Sequence, residues 1–433
     1  MSDYKIIHDT VHGNIKFEGA TLRILETPEM QRLNGIKQLG LSYLVFPGAN
    51  HTRLEHSIGV GHVAGKMGEA LNLPDIEVTT LRVAGMLHDL GHSPYSHTLE
   101  YVLHEKTGWD HMDITTEIIR GNLDIITDEV EGRERLHEIL NDAGVDIDMV
   151  CRMIKGEVRK DASMHIDGNQ AYFGDPKNYM VNIISGSLDA DQMDYLLRDA
   201  HYTGVAHGMI DIFRILNTLK IKNGELMVDK KGVPALEGML VARALMYTSV
   251  YFHKTNRIGE LMLSRAVEEL DMDDWLDIYR FNDAELMSVL KEAGGFPHEV
   301  AMRLKYRKLF KKAIVMRFDE IENNHEILEL LKRLSDLKYR RRVEEEIAQG
   351  AGVDSKYVLI DIPGDIAKLS EPRLNKTDVK IVDGQNIREL VAYSPLARAL
   401  QIRKVQDWAF MLVTKKEYTE SVTKSAKRML PPY

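Results

Sequence analysis

The spacing of apolar residues predicts a mainly helical chain. Residues 54–70 and 77–90 both carry apolar side chains at helical spacing, and Asn72-Leu73-Pro74-Asp75 suits a turn that joins antiparallel neighbours. The second of these helices is predicted to end at Gly91, because Pro94 follows shortly after it. Helical spacing extends over further segments, namely 18–40 in two pieces, 98–160, 185–200 and 257–350.

Turn residues divide the rest of the chain into short β elements. Residues 4–17 around His12-Gly13-Asn14 and residues 219–231 around Asn223-Gly224 are typical of hairpins. Residues 161–178 are polar and contain glycine, which predicts a loop. Short strands are predicted at 357–362, 379–382 and 408–413. We therefore expect a helical core with small β-hairpins over residues 1–350 and a smaller α+β lobe over residues 351–433.

Composition and charge limit the class of protein. The 433 residues are 44% hydrophobic and 28% charged, which is typical of a soluble globular protein large enough for two or three domains. The single cysteine excludes an intramolecular disulfide, and neither a signal peptide nor an 18-residue apolar run occurs. We expect a cytoplasmic protein without a membrane partner. The net charge of −10 argues against general nucleic-acid binding, and the basic runs 305–312 and 338–342 are interpreted as solvated faces.

Histidines are concentrated in one stretch of the chain. Six of the 17 histidines lie between residues 51 and 97, and Asp89 follows His88 directly. The predicted turn between the two helices can bring His56 close to His88. Imidazole and carboxylate ligands suit a first-row metal such as Mn, Fe, Zn or Ni better than calcium. An isolated His-Asp pair is usually a surface or helix-capping pair, but the clustering favours a metal site, as does His56 within an apolar, glycine-rich helix.

Two later helices carry polar side chains at helical spacing. Asp191, Tyr195 and Asp199 lie near one face of the first helix, and this face suits a cleft wall or a solvated surface equally well. In the second helix Arg243 and Tyr251 lie near one face. Cations and aromatic rings on one stripe suit a nucleotide, although core tyrosines with flanking charges show the same spacing.

Six stretches in this order resemble a known enzyme family. They are HDTVHGNI, TPEMQRLNGIKQLG, VFPGANHTRLEHSIGVGHVAG, AGMLHDLGHSPYSH, DADQMDYLLRD and VYFHK. Together they are similar to the HD-domain deoxynucleoside triphosphate triphosphohydrolases, most of all to the branch that contains the vertebrate SAM-and-HD-domain enzyme. The resemblance covers residues 4–260 well and the C-terminal third loosely, and we expect no SAM domain before residue 4. It implies that the helical core is an HD domain.

The resemblance also implies a reaction and a set of site residues. Water cleaves the bond between the α-phosphate and the nucleoside of a dNTP, which releases deoxynucleoside and tripolyphosphate. The implied catalytic residues are His92 and His111, which stabilise phosphate charge, and His97, which protonates the leaving 5′-oxygen. The implied ligands of a divalent ion, which is Mn, Fe, Zn, Ni or Mg, are His56, His88, Asp89 and Asp191.

Further positions match the family's substrate and effector sites. Arg53 matches a phosphate contact and Arg243 another substrate contact. The sugar-pocket matches are Gln38, Leu39, Tyr195, Asp199 and Tyr251. A nucleotide effector site is implied by Lys5, His253 and Lys254. Family members assemble as dimers and tetramers, so a homo-oligomer is expected.

Some positions depart from the vertebrate pattern. Gln192 replaces a phosphate-binding lysine, Glu100 an aspartate near the catalytic histidine, and Phe252 a glutamine at the base end of the pocket. At the effector site, Glu26 and Asn34 replace an aspartate and an arginine. Two other functions stay open. One is another HD phosphohydrolase that acts on nucleoside monophosphates or cyclic nucleotides, and the other is a regulator that senses nucleotides without turnover.

Overall fold

A computed structural model describes residues 4–159, 164–167, 170–173, 175–362, 378–401 and 408–431. The predicted fold class is confirmed, since helices predominate and the sheets are small. The helices are α1 (Gly19–Leu25), α2 (Pro28–Arg32), α3 (Arg53–Ala70), α4 (Asp75–Leu87), α5 (His97–Thr107), α6 (His111–Arg120), α7 (Leu136–Asp142), α8 (Ile147–Lys155), α9 (Asn178–Ser185), α10 (Ala190–Thr203), α11 (Ile212–Leu216), α12 (Val233–Met246), α13 (Lys254–Glu268), α14 (Asp283–Glu292), α15 (Gly295–Lys305), α16 (Phe318–Ile321), α17 (His325–Leu334), α18 (Leu337–Ala351), α19 (Pro395–Gln401) and α20 (Thr419–Met429).

The strands are short, and most pair with a neighbour in sequence. They are β1 (Tyr4–Asp9), β2 (Gly13–Glu18), β3 (Met164–Asp167), β4 (Gln170–Phe173), β5 (Leu219–Lys222), β6 (Glu225–Asp229), β7 (Lys311–Met316), β8 (Leu359–Asp361), β9 (Lys380–Asp383), β10 (Asn386–Glu389) and β11 (Phe410–Thr414). The two predicted hairpins are confirmed as β1-β2 and β5-β6, both antiparallel. None of the helices in the described ranges combines the length and apolar character needed to cross a bilayer.

The antiparallel pair α3 and α4 forms the centre of the N-terminal core, as the Asn72–Asp75 turn predicts. The two helices approach closely at Gly61 and Gly85, where a β-carbon on Gly85 would lie 2.9 Å from the Cα of Gly61. Helix α10 packs against α3 at Gly59 in the same way. A β-carbon there would lie 1.9 Å from Asp194 Oδ1, so glycine is what lets the Asp194 carboxylate reach α3.

The end of α4 differs from the prediction. The helix ends at Leu87 rather than at Gly91, and residues 88–96 run irregularly into α5. Tyr95 and Ser96 adopt positive φ angles of 56° and 54° immediately before that helix. Such backbone angles are costly for residues other than glycine and tend to occur at functional sites. This irregular segment lets His88, Asp89 and His92 point toward the same region.

Two further predictions of secondary structure were wrong. The segment predicted as a loop at 161–178 contains the β3-β4 hairpin, whose pairing runs from Met164↔Phe173 to Asp167↔Gln170. The polar composition of this segment favoured a loop and obscured the two short strands. The predicted helical region 257–350 contains β7, which the exposed lysines at its start disguised as a solvated helix.

Strands from both sides of residue 350 share two sheets. The first has the order β7-β11-β8 and the second has the order β10-β9-β6-β5. Strand β6 therefore pairs with β5 on one side and, in parallel, with β9 on the other. A second apolar core, which includes Ile314, Ile347 and Phe410, lies between the first sheet and the helices α17, α18 and α20. The division at residue 350 stays a prediction.

Candidate active site

Three side chains from separate elements form a group suited to a divalent ion. His56 lies in α3, His88 follows α4 and Asp191 lies in the first turn of α10, and each offers one ligand atom within 4.8 Å of the others. His56 Nε2 is 3.0 Å from Asp191 Oδ1, and His88 Nε2 is 3.8 Å from the same oxygen. Two imidazole nitrogens and a carboxylate oxygen fit Mn, Fe, Zn or Ni.

Hydrogen bonds on the far side of each ring orient the two imidazoles. His56 Nδ1 is 2.8 Å from Asp194 Oδ2, and His88 Nδ1 is 2.8 Å from the Gly85 carbonyl oxygen. Both Nε2 atoms are therefore directed toward Asp191, which is the usual arrangement of metal-binding histidines. Burial lowers the pKa of His56, but the hydrogen bonds that its ring donates to the Asp191 and Asp194 carboxylates outweigh this effect and raise the pKa to about 10. The surroundings thus favour positive charge at this point.

Asp194 is the centre of a buried ion-pair network behind His56. Arg198 donates from Nε and Nη2 to the two Asp194 oxygens at 2.8 Å each, and from Nη1 to Asp9 at 2.8 Å. His12 Nε2 lies 2.7 Å from Asp194 Oδ1. Burial raises the pKa of Asp194, but Arg198 and the two histidines hold it well below its usual value. The carboxylate is therefore charged and fixed in position.

The sequence prediction missed this network. Its signals were present, because Asp194 is one helical turn beyond Asp191 and Arg198 one further turn beyond Asp194. Asp9 and His12 lie at the end of β1 and in the turn after it. Nothing in the spacing alone brings this turn to α10.

Asp89 lies beside the group of His56, His88 and Asp191, here called the metal-type group, and links it to a second set of imidazoles. Its Oδ1 is 3.2 Å from Nε2 of both His88 and His92. Its Oδ2 accepts a hydrogen bond from Arg53 and is 3.7 Å from His56 Nε2. Arg53 also donates from Nε to Ser96 Oγ at 2.6 Å. The guanidinium thus ties the start of α3 to the irregular segment after α4.

His92, His97 and His111 form the second set. The rings of His92 and His111 stack with their centroids 4.3 Å apart, and the His97 ring meets His92 edge-on at 4.9 Å. Glu100 bridges the outer two, since its Oε1 contacts His111 Nδ1 and its Oε2 is 3.0 Å from His97 Nδ1. Burial raises the pKa of Glu100, but the charges and hydrogen bonds of His111 and His97 hold it well below its usual value. Glu100 thus serves both histidines as a charged acceptor.

Several of the predicted substrate-binding residues meet at α10, C-terminal to Asp191. Tyr251 ends a π-helical segment after α12 and donates its hydroxyl to Asp199 Oδ2 at 2.7 Å. The Tyr195 ring meets the Tyr251 ring edge-on at 6.1 Å. Arg243 donates to Gln192 Oε1 at 2.8 Å, and both side chains are buried. A π-helical insertion of this kind is common at functional sites.

Gln38 and Leu39 lie half-buried between α2 and α3. The Gln38 backbone N–H donates to the His51 carbonyl at 3.0 Å, which places this segment beside the start of α3.

The three predicted effector residues have separate surroundings. Lys5 pairs with Glu26, His253 caps α13 by accepting from the Thr255 amide at 3.2 Å, and Lys254 Nζ lies 5.7 Å from the centre of the Trp408 ring. Their effector role stays a prediction.

Comparison with known proteins identifies the family. A family model described as HD domain matches residues 53–199, and one described as HD associated region matches residues 210–431. The chain belongs to the HD-domain phosphohydrolases. The resemblance found in the sequence is thereby confirmed at the level of the family. Both metal-type histidines and Asp191 fall within the first match.

Three relatives show how far the similarity of this HD-domain chain extends. An uncharacterized protein of Methanocaldococcus jannaschii is 34% identical over 425 residues, which are 95% of this chain and 80% of that protein. The deoxynucleoside triphosphate triphosphohydrolase SAMHD1 of Gallus gallus is 31% identical over 291 residues, which are 62% of this chain and 45% of that enzyme. The crystal structure of a hypothetical protein from Aquifex aeolicus superposes with a TM-score of 0.71 at 28% identity, covering 98% of this chain and all of that one.

Proposed function

We propose that this HD-domain phosphohydrolase hydrolyses deoxynucleoside triphosphates to deoxynucleoside and tripolyphosphate. The observation that carries the proposal is the continuity between the His56, His88 and Asp191 group and the second set of imidazoles. Asp89 joins them, with Oδ1 at 3.2 Å from Nε2 of both His88 and His92. The 31% identity with SAMHD1 of Gallus gallus, a deoxynucleoside triphosphate triphosphohydrolase by name, supports this substrate class.

The ligand set fits a divalent metal ion. We assign its binding to His56, His88 and Asp191, with Asp89 as the fourth predicted ligand, and Mn, Fe, Zn, Ni and Mg are the candidates. Such an ion supplies Lewis-acid polarisation of phosphate oxygens. The protein contributes the orientation of both imidazoles through Asp194 and the Gly85 carbonyl.

The second set of imidazoles suits proton delivery and phosphate binding. In the proposed reaction the water oxygen bonds to the α-phosphorus, the bond from phosphorus to the 5′-oxygen breaks, and that oxygen takes up a proton. His97 suits this role because Glu100 holds its Nδ1 while its side chain is 46% exposed, which leaves Nε2 accessible. His92 and His111 offer two stacked rings for phosphate oxygens, and Arg53 adds a buried cation beside them.

The pocket beyond Asp191 suits the nucleoside. Tyr251 and Asp199 are hydrogen-bonded to each other, and Tyr195 packs against Tyr251. We assign the sugar to these residues together with Gln38 and Leu39, and a phosphate or base contact to Arg243. A tyrosine packed against C2′ disfavours the extra hydroxyl of a ribonucleotide, because no room remains for it.

One observation favours a second candidate, an HD phosphohydrolase that acts on nucleoside monophosphates or cyclic nucleotides. Gln192 carries no charge, and its amide nitrogen bonds to Asp189 Oδ2 at 3.0 Å and to the Gly186 carbonyl at 3.4 Å. Its oxygen accepts from Arg243. Gln192 therefore adds no cation for a long phosphate chain, which suits a substrate with fewer phosphates.

Product analysis separates the two candidates. The full-length protein is incubated with Mn²⁺ or Mg²⁺ and with each dNTP, singly and in mixtures, and separately with each nucleoside monophosphate. The products are resolved by ion-exchange chromatography. We expect tripolyphosphate and deoxynucleoside, and their loss in His88→Ala and Asp191→Ala. His298→Ala, which changes an exposed histidine on α15, is the matched control and should retain activity. Absence of tripolyphosphate under every combination, with phosphate released from a monophosphate instead, would establish the second candidate.

A further inference from the structure

His51 lies in the wall of the proposed sugar pocket, although no role was predicted for it. The residue immediately precedes Thr52, the N-cap of α3, and is 2% exposed. Its Nε2 is 2.8 Å from Asp199 Oδ1, while the Tyr251 hydroxyl donates to the other oxygen of the same carboxylate at 2.7 Å. His51, Asp199 and Tyr251 therefore form a continuous hydrogen-bonded chain across three elements.

His51 is held in place by contacts to its ring face and to its backbone carbonyl. It stacks on the Tyr202 ring with centroids 4.5 Å apart and an interplanar angle of 16°. The Tyr202 hydroxyl donates to Glu55 Oε1 at 2.6 Å, and Glu55 belongs to the capping box of α3. The His51 carbonyl accepts from the Gln38 amide. The donor that faces Asp199 is thus fixed by α3, α10 and the segment before α3 together.

The environment of the second ring nitrogen indicates which nitrogen carries the proton. Within the described part of the chain, His51 Nδ1 is buried and has no hydrogen-bond partner. A buried N–H without an acceptor is costly, and a carboxylate requires a donor. The arrangement therefore favours the tautomer with its proton on Nε2, which donates to Asp199.

We propose that His51 is a positioning residue that orients Asp199 to accept the 3′-hydroxyl of the substrate. This inference rests on the proposed function, in which Asp199 lies in the sugar pocket. Each Asp199 oxygen has accepted one hydrogen bond, from His51 or Tyr251, and each keeps a second lone pair for a ligand. A 2′-deoxynucleotide has a single free hydroxyl on its sugar ring, at C3′. Misorientation of Asp199 therefore affects recognition of that one hydroxyl.

Two substitutions separate hydrogen bonding from packing. His51→Phe keeps a ring to stack on Tyr202 but loses the donor, whereas His51→Gln keeps an N–H donor but loses the ring. We compare kcat/KM for dATP with that for 2′,3′-dideoxy-ATP, which lacks the 3′-hydroxyl. His51→Phe should lower the value for dATP about tenfold and leave the dideoxy value within about twofold, in line with the loss of one buried hydrogen bond. His51→Gln should retain most of the preference for dATP.

The opposite pattern would overturn the proposal. If His51 only packs, His51→Phe is tolerated, His51→Gln is harmful, and the two nucleotides lose activity by the same factor. His201→Phe is the matched control, because His201 is an exposed histidine on the same helix as Asp199 whose ring also meets Tyr202. Thermal melts of all variants followed by circular dichroism separate loss of fold from loss of recognition.

A binding measurement keeps this test independent of turnover. Calorimetric titration of the full-length protein with dATP and 2′,3′-dideoxy-ATP, in the presence of EDTA, reports the 3′-hydroxyl preference directly. A wild-type preference that disappears in His51→Phe supports the role of His51, even where no tripolyphosphate is released and the proposed reaction fails. Equal affinity of the wild-type protein for both nucleotides refutes the role of His51, whatever the products are.

Discussion

The substitution Asp194→Asn keeps the size of the fully buried Asp194 side chain and removes its charge. Asp194 accepts hydrogen bonds from Nε and Nη2 of the Arg198 guanidinium. Its carboxylate oxygens also lie 2.7 Å from His12 Nε2 and 2.8 Å from His56 Nδ1. The single oxygen of asparagine cannot serve all of these partners. Its amide also presents N–H groups where His56 and Arg198 need an acceptor. The change therefore disturbs the orientation of His56 without opening a cavity.

The expected effects on stability and metal affinity are both large. Removing one partner of a buried ion pair costs about 3–5 kcal/mol, and we expect the lower end because Arg198 keeps its 2.8 Å contact with Asp9. Loss of the carboxylate that orients a metal-binding histidine typically weakens metal affinity by about 10- to 100-fold. This factor corresponds to about 1.4–2.8 kcal/mol of binding free energy.

Calorimetry with Mn²⁺ on EDTA-treated protein, together with urea unfolding followed by circular dichroism, measures both quantities. Asp148→Asn is the matched control, since Asp148 forms an exposed ion pair with Arg120 that contributes little. We expect the control to match the wild-type protein. A folded Asp194→Asn protein that binds Mn²⁺ with wild-type affinity would refute the claim that Asp194 orients a metal ligand.

Three further predictions follow from the structure. Glu100→Gln should lower kcat about 10²- to 10⁴-fold with the fold intact, because His97 and His111 lose their shared charged acceptor. Single-turnover kinetics measure the loss of activity, and circular dichroism checks the fold. Burial, with His12 and Lys66 nearby, lowers the pKa of His62 to about 4 from 6.5, so the unfolded chain binds the proton more readily and stability falls as the pH drops from 6.5 to 4. Urea unfolding at a series of pH values measures this dependence. His62→Phe should remove the contribution of His62, which is at most about 3 kcal/mol between pH 6.5 and 4 and is smaller still because the ring is partly exposed. A chain that ends at residue 350 loses β11, the neighbour of β7, and should aggregate on size-exclusion chromatography.

The sequence was informative where local spacing determines the outcome. Helices α3 and α4, the turn between them and the approach of His56 to His88 all follow from apolar periodicity and the Asn72–Asp75 break. Asp191 could not be assigned from spacing, because a cleft wall and a solvated face show the same pattern. Its place in the metal-type group came from the resemblance to the HD-domain enzymes, and the geometry agrees with it.

Long-range pairing explains what the sequence did not reveal. Strand β7 reads as part of a charged helical region, and it becomes a strand because β11, almost 100 residues later, pairs with it from Met316↔Phe410 onward. The His51 contact with Asp199 and the Asp9 contact with Arg198 likewise join residues more than 140 positions apart. Neither helical nor strand periodicity carries information on such partners, since both report only which face of an element is buried.

The register of α10 against α3 connects these observations. Asp191 and Asp194 are one helical turn apart, and they contact opposite nitrogens of the same His56 ring, at 3.0 Å and 2.8 Å. A single rotation of α10 therefore sets both the carboxylate of the metal-type group that contacts His56 and the carboxylate that orients His56. Gly59 permits this register, because any larger residue would collide with Asp194. Asp199 lies about two turns beyond Asp191 along the same helix. The packing that forms the metal-type group therefore also positions the carboxylate of the proposed sugar pocket.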